Sequence, residues 1–197
     1  MNNPQQPLEY DAVLGGENQI SSSPDLKMTT ERAVNLLKAG DLGIRLWNKF
    51  RKEETYIPSL EGVDLSGQDL HYANFSNANL QGAKLTSVYY ANFSNANLQG
   101  AKLTSVYCAN FSNANLQGAD LSSAYAEIAD FSNADLTDTK FDGGNLSRAK
   151  LKNAIIANTS FLGTNLEGAD VTGTKIFLAN VNKETLTDEI SGIDKLY

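Results

Sequence analysis

From Leu60 onward, large apolar residues recur at every fifth position. Leu60, Leu65, Leu70, Phe75, Leu80 and Leu85 open the series. After Phe111 it runs unbroken through Leu116, Leu121, Ala126, Phe131, Leu136, Phe141, Leu146, Leu151, Ile156, Phe161, Leu166, Val171, Ile176 and Val181 to Leu186. A small residue stands two places before many of them, as at Ala73, Ala78, Ala109, Ala129 and Ala154, and Asn or Asp often lies between. A period of five matches neither a helix nor a flat strand. It matches a chain that turns a corner every five residues. Four such sides close a square coil of about twenty residues, whose backbones pair as short parallel strands at roughly 4.8 Å per coil. The apolar centres and the small residues point inward. A single coil buries little, so stability comes from stacking.

The stretch ANFSNANLQGAKLTSVY occupies Ala73–Tyr89 and recurs verbatim at Ala91–Tyr107; a third copy runs from Ala109 to Ala119. The copies are offset by eighteen residues, because Leu85 to Phe93 and Leu103 to Phe111 span eight positions instead of ten. If one side of two coils holds three residues, the other sides remain aligned. One side then stacks Phe75, Phe93, Phe111, Phe131, Leu151 and Val171; the next stacks Leu80, Leu98, Leu116, Leu136, Ile156 and Ile176. The third stacks Leu85, Leu103, Leu121, Phe141, Phe161 and Val181. On the irregular fourth side, aligning the short segments on their first small residue puts Tyr90, Cys108 and Ala126 inside. That alignment puts Tyr89, Tyr107 and Tyr125 outside as an exposed tyrosine ladder. Exposed aromatics are enriched at binding hot spots, which makes these three the candidate partner-binding residues. The alternative role is cross-strand packing that supports the short side.

With its A-(D/N)-L-x-x units from residue 58 to about 188, the sequence resembles the pentapeptide-repeat family, and specifically a cyanobacterial-type member with an N-terminal capping helix. The resemblance implies an all-β solenoid, a right-handed quadrilateral parallel β-helix of about six coils with an N-terminal α-helical cap. The expected division is a mostly disordered tail over 1–28, a helical cap over 29–57, the solenoid over 58–188 and a C-terminal cap over 189–197.

Both ends of such a stack need cover, since open strand edges pair with other molecules. Residues 29–55 read as helix, with Thr29 and Thr30 as cap residues, Glu31 in the first turn and a break at Ala39-Gly40-Asp41. Ala33, Leu36 and Leu37 form one apolar stripe; Ile44, Leu46, Trp47 and Phe50 form another. Trp47 and Phe50 are the front-cap residues, with Tyr56 and Ile57 packing in the link. Arg45, Lys49, Arg51 and Lys52 read as a solvated basic face. At the far end, Phe177 and Leu178 stand where polar residues stand elsewhere. The closing segment, with Leu186, Ile190, Ile193, Leu196 and Tyr197, either folds over them or meets a second chain. A monomer is the expectation, with a homodimer through this end as the alternative that the family resemblance supports. Within the tail, Leu8–Leu14 partly alternates apolar and polar residues and could dock as a strand.

Catalytic chemistry has few candidates. The single histidine, His71, and the single cysteine, Cys108, lie nearly two coils apart, and Cys108 reads as an interior residue. There is no zinc spacing, and Gly15-Gly16 and Gly143-Gly144 lack the pattern of a phosphate loop. The Asn, Asp and Ser residues belong to corners, where their side chains bond nearby backbone. No catalytic residue, metal ligand or cofactor is expected. The net charge of −7 argues against direct contact with nucleic acid or an anionic membrane. No apolar run reaches a membrane span and no signal peptide is evident, so a cytoplasmic protein is expected.

The preferred reading is a non-catalytic scaffold or adaptor that binds another protein. Some members of the family modulate DNA gyrase as acidic, DNA-like rods, so gyrase mimicry is one alternative; a purely structural rod is the other. Mimicry needs acids arrayed along the axis. Here Asp120, Glu127, Asp130, Asp135, Asp138 and Asp142 form a collar around one coil, and Arg148, Lys150 and Lys152 follow it.

Overall fold

The computed structural model describes residues 28–53 and 56–177. Helix α1 (Thr30–Leu37) leads into helix α2 (Gly40–Glu53). The Thr29 hydroxyl accepts a bond from the Arg32 amide and so caps α1. Gly43 lets the two helices meet closely, since a Cβ there would lie 1.9 Å from the Leu36 carbonyl oxygen. Beyond them the chain winds as a β-helix solenoid with short parallel strands. Strands β1 (Asp64–Asp69), β2 (Lys84–Ser87) and β3 (Lys102–Ser105) form one sheet, and β4 (Ile155–Ala157) pairs with β5 (Lys175–Phe177). Most rungs elsewhere are single parallel bridges, as in Asn74↔Asn92↔Asn110↔Asp130↔Lys150↔Asp170.

The five-residue unit has a physical account. The Asn or Asp before each central residue accepts from the backbone amide two places on, as Asn92 does from Ser94 at 3.0 Å and Asp130 does from Ser132 at 2.9 Å. The central carbonyl then accepts from the amide three residues later, as Phe75 does from Ala78 at 3.0 Å. The residue between takes positive φ, the signature of a type II turn. Asn77, Asn95, Asn113 and Asn133 hold these corners at φ 58–59, and Gly82, Gly100 and Gly118 hold others at 65–66. Asn and Gly tolerate this region at least cost.

The interior is made of ladders. Phe75, Phe93, Phe111 and Phe131 are fully buried and stack with centroids 5.1, 4.9 and 5.0 Å apart. Leu80, Leu98, Leu116 and Leu136 form the neighbouring buried column. Where Thr replaces the small alanine, its buried hydroxyl donates to a carbonyl of the preceding coil, as Thr139 does to Leu116 at 2.8 Å and Thr159 does to Leu136 at 2.7 Å.

At the front, α2 stands in for a missing coil. The buried Trp47 ring lies 6.0 Å from Phe75 and 5.8 Å from the partly buried Phe50. Its Nε1 donates to the Asn74 carbonyl at 2.9 Å. Asn48 donates to the Tyr72 carbonyl and accepts from the Asn74 amide. Arg51 donates to the carbonyls of Asn74 and Ser76. It is therefore a cap residue rather than part of a solvated face, because the coil's outward carbonyls need donors that no preceding coil supplies. Ile57 packs against the core, whereas Tyr56 is exposed. Leu8–Leu14, Leu178 and the closing segment from Val181 to Tyr197 lie outside the described residues, as do the Ile176 and Phe177 side chains.

Candidate functional site

The fourth side departs from the rest. The sequence alignment puts Tyr90 and Cys108 inside, and the structure corrects this. Leu70, Val88, Val106 and Ala126 are the buried centres of consecutive rungs. The ladder amides fix this register: Leu70 donates to Ser87, Val88 to Ser105, and Val106 to Tyr125. The short sides are therefore aligned on their last turn, not on their first small residue. The two missing residues are a corner: β2 and β3 run straight where other coils turn. Residues following each centre then fall at turn positions. His71, Tyr89, Tyr107 and Glu127 form one outward column, and Tyr72, Tyr90, Cys108, Ile128 and Arg148 form the adjacent corner column. Tyr125 belongs to a third column, pairing with Ser105 and Asn145.

The expected ladder of Tyr89, Tyr107 and Tyr125 is thus not a single column. Tyr89 and Tyr107 are half-buried beneath more exposed neighbours. The exposed residues are Tyr72 at 65%, Tyr90 at 46%, Tyr125 at 42% and Ile128 at 37%. Tyr72 stacks on Tyr90 at 5.0 Å, and Tyr107 stacks on Tyr125 at 5.5 Å. The edges of Tyr89 and Tyr90 meet the Tyr107 ring at 6.4 and 5.6 Å. His71 lies 4.6 Å from Tyr89 and pairs with Asp69 at 3.1 Å; its Nε2 is buried without a hydrogen-bond partner. The Tyr125 hydroxyl donates to Glu127 at 2.9 Å. Contact with the Cys108 side chain, and with its charge once ionised, pushes the Tyr107 phenol up to about 12. The hydrogen bond to Glu127 raises Tyr125 as well. The sequence reading missed Tyr72, Tyr90, His71 and Ile128. The signal was present, since His71-Tyr72 follows Leu70 as Tyr89-Tyr90 follows Val88.

This corner column is also the unfavourable one. Tyr72, Tyr90, Cys108, Ile128 and Arg148 all take φ between 54° and 61°. An L-residue with a Cβ is disfavoured there by roughly 1–2 kcal/mol, and a β-branched one is a genuine outlier. Four successive corners of the phenylalanine side, from Asn77 to Asn133, use Asn instead. The fourth side thus carries apolar, exposed residues in the conformation least suited to them. Such strain concentrates where surfaces have a use.

Among the described residues no group of three or more His, Cys, Asp or Glu side chains is placed to hold a metal ion. No helix among them is long and apolar enough to cross a membrane.

A coiled chain built from A-(N/D)-Φ-x-x units, with Asx-bonded corners and stacked apolar centres, is a pentapeptide-repeat solenoid. The family model described as Pentapeptide repeats matches in 8 copies, over residues 59–86, 91–125, 107–143 and 145–182, and the chain belongs to that family. It is similar to several solved structures. Rfr23, a pentapeptide repeat protein of the cyanobacterium Cyanothece 51142, is 24% identical over 64% of this chain and 89% of that one, with a TM-score of 0.40. A pentapeptide repeat protein of the Arabidopsis thaliana thylakoid lumen is 38% identical over 59% and 66%, with a TM-score of 0.31. A trypsin-treated variant of QnrB1, a plasmid-mediated fluoroquinolone resistance protein, is 22% identical over 62% and 73%, with a TM-score of 0.32. Comparison with curated proteins gives no significant match.

Proposed function

We propose that this protein is a non-catalytic, protein-binding scaffold whose contact surface is the aromatic fourth face. The observation that carries the reading is the corner column itself. Tyr72, Tyr90 and Ile128 stay exposed at positive φ, where Asn or Gly would be both more stable and more soluble. The candidates Tyr89, Tyr107 and Tyr125 take part as support for that surface, through the ring contacts that hold Tyr90 and Tyr125 upright. The reading includes a right-handed quadrilateral helix of about six coils. In it, residues 29–57 form the front cap, 58–188 the solenoid and 189–197 the rear cap.

The gyrase alternative needs a continuous acidic column, and the outward columns are mixed. Asp64 and Asp120 share theirs with Lys84, Lys102 and Lys140. Lys84 pairs with Asp64 at 2.9 Å, and Lys150 pairs with Asp130 at 3.6 Å. A purely structural rod is the competing reading, and one experiment separates it. Tyr72→Asn/Tyr90→Asn installs residues suited to the corner. The binding reading expects loss of a protein captured by the wild type, with a melting temperature equal or higher. A melting temperature that falls, with capture unchanged, would make the tyrosines structural.

A further inference from the structure

We infer that the aromatic face takes an extended segment of another protein that carries two cationic side chains, arginine above all, four residues apart with an apolar residue midway. The inference rests on the binding role proposed above and names the chemistry of the partner.

Over its aromatic rungs the face is a grid of columns. The corner column holds Tyr72, Tyr90, Cys108 and Ile128, the middle one His71, Tyr89, Tyr107 and Glu127, and the third Asp69, Ser87, Ser105 and Tyr125. No lysine or arginine stands at any of these positions. The acids stand at opposite ends, Asp69 in the first rung and Glu127 three rungs on, roughly 14 Å apart along the axis. Each shares its rung with an exposed tyrosine, Tyr72 for Asp69 and Tyr125 for Glu127. Among the described residues neither carboxylate is paired with a lysine or arginine. Asp69 meets His71 at 3.1 Å, and Glu127 accepts from the Tyr125 hydroxyl. The next acid across the corner, Asp130, is by contrast held by Lys150 at 3.6 Å. Between the two ends lie the half-buried rings of Tyr89 and Tyr107 and the exposed ring of Tyr90.

A guanidinium suits both ends, because it binds a carboxylate through two parallel hydrogen bonds and stacks on a phenol face. An ammonium brings charge and cation–π attraction without the fork. An extended chain advances about 3.4 Å per residue and sets alternate side chains on one face. Residues i and i+4 therefore reach the two acids while residue i+2 meets the rings between them. A helix sets i and i+4 only about 6 Å apart along its axis, too close for this site. The following rung limits the ligand. Arg148 succeeds Ile128 in the corner column, and Lys150 stands in the same rung. Their charge opposes a longer run of bases, so the strip fits a spaced pair rather than a polybasic tract. The net charge of −7 favours approach of a basic segment.

The test is binding of the full chain to fluorescein-labelled peptides, read by anisotropy. The probe is Gly-Arg-Thr-Leu-Thr-Arg-Gly. The first control, Gly-Arg-Leu-Thr-Arg-Thr-Gly, has the same composition but puts its bases on opposite faces of an extended chain. The second replaces both arginines of the probe by glutamate, and the third is a peptide of this chain's own Leu8–Leu14. The expected result is saturable binding of the probe, tenfold or more tighter than of any control. Asp69→Asn/Glu127→Gln should weaken it tenfold or more at an unchanged melting temperature, since the new amides still accept from His71 and Tyr125. Asp69→Arg/Glu127→Arg should invert the preference toward the glutamate peptide. A probe that does not bind, that binds no tighter than the shifted control, or that binds Asp69→Asn/Glu127→Gln as well as the wild type overturns the inference. Tighter binding of the Leu8–Leu14 peptide also overturns it, and makes the occupant the chain's own N-terminal segment. If the probe fails but a protein captured by the wild type is lost in Tyr72→Asn/Tyr90→Asn, the face binds and only the cationic partner is wrong. If neither occurs, both readings fail.

Discussion

Asn113 offers a direct test of the corner argument. It sits at φ 59 on the phenylalanine side, exposed to solvent, between the buried Phe111 and Ala114. Asn113→Val keeps the backbone bonds on both sides and adds no buried volume. What changes is the Cβ branching at positive φ. The penalty for an L-residue there is roughly 1–2 kcal/mol, and Asn is among the few that tolerate it. The expected loss is therefore about 1–2 kcal/mol. For a chain of this length that is a fall of roughly 2–8 °C in melting temperature. Urea unfolding should show a lower midpoint with an unchanged slope, since the surface exposed on unfolding is the same.

Asn113→Gly is the control, because glycine accepts the same φ without a side chain. If Gly costs as much as Val, then the amide side chain, not the backbone angle, stabilises the corner. The reciprocal change is Arg148→Asn, at φ 58 on the fourth side. It should stabilise by up to about 1 kcal/mol, less the contact of the Arg148 stem over Gly168. A loss on Val and a gain at position 148 together would establish that the fourth side sacrifices stability. Unchanged stability for Asn113→Val would refute the steric reasoning and with it the functional weight placed on the strained column.

Three further outcomes follow from the packing and the titrating groups. Phe111→Ala removes the middle of a stacked, fully buried ladder and should cost about 3–5 kcal/mol by chemical denaturation, more than any exposed tyrosine. Thr139→Val keeps the shape but removes the buried hydroxyl that donates to the Leu116 carbonyl, so a loss of about 1–3 kcal/mol is expected in the same assay. The pH profile should close at both ends. Tyr107 holds its proton up to about 12 in the folded chain, so its stabilising contribution is present below pH 10 and fades between 10 and 12; Cys108→Ala should shift its absorbance titration back toward 10. Asp64 and Asp120 are lowered by bonds from Ser66 and Ser122, and Asp170 by bonds from Thr172. Their contribution is present above about pH 4 and is lost on acidification, and Asp120→Asn should flatten that slope while keeping the corner bond.

What could be read without coordinates, and what could not, divides along one physical line. A repeat of five with Ala two before the centre specifies each rung locally, because corner, centre and Asx bond all lie within one unit. Phe75 through Phe131 therefore stack as their spacing dictates, and Trp47 covers the open end of that ladder. The short sides are different. Thr86-Ser87-Val88 is compatible with two registers, and nothing within the segment distinguishes them. The choice is made by neighbours: Leu70 donates to Ser87 and Val106 takes its place opposite Tyr125, so rungs above and below pull Val88, not Tyr90, into the core. Burying Val in a column of Leu70 and Ala126 fills the space that a tyrosine would overfill. Arg51 escaped the sequence reading for the same reason, since a lone helix gives no sign of the unpaired Asn74 and Ser76 carbonyls that it meets. The same non-local register turns two duplicated coils into a surface. Copying Ala73–Tyr89 multiplied a rung whose Val88 and Val106 centres are each followed by a tyrosine at the turn, where the residues after every centre stand. The aromatic face does not need the shortened corner, since Tyr72 and Ile128 follow centres five residues after Leu65 and Leu121. Restoring two residues after Leu85 and Leu103 should therefore rebuild the missing corner, keep Val88 and Val106 as buried centres and leave the tyrosines that follow them at the turn.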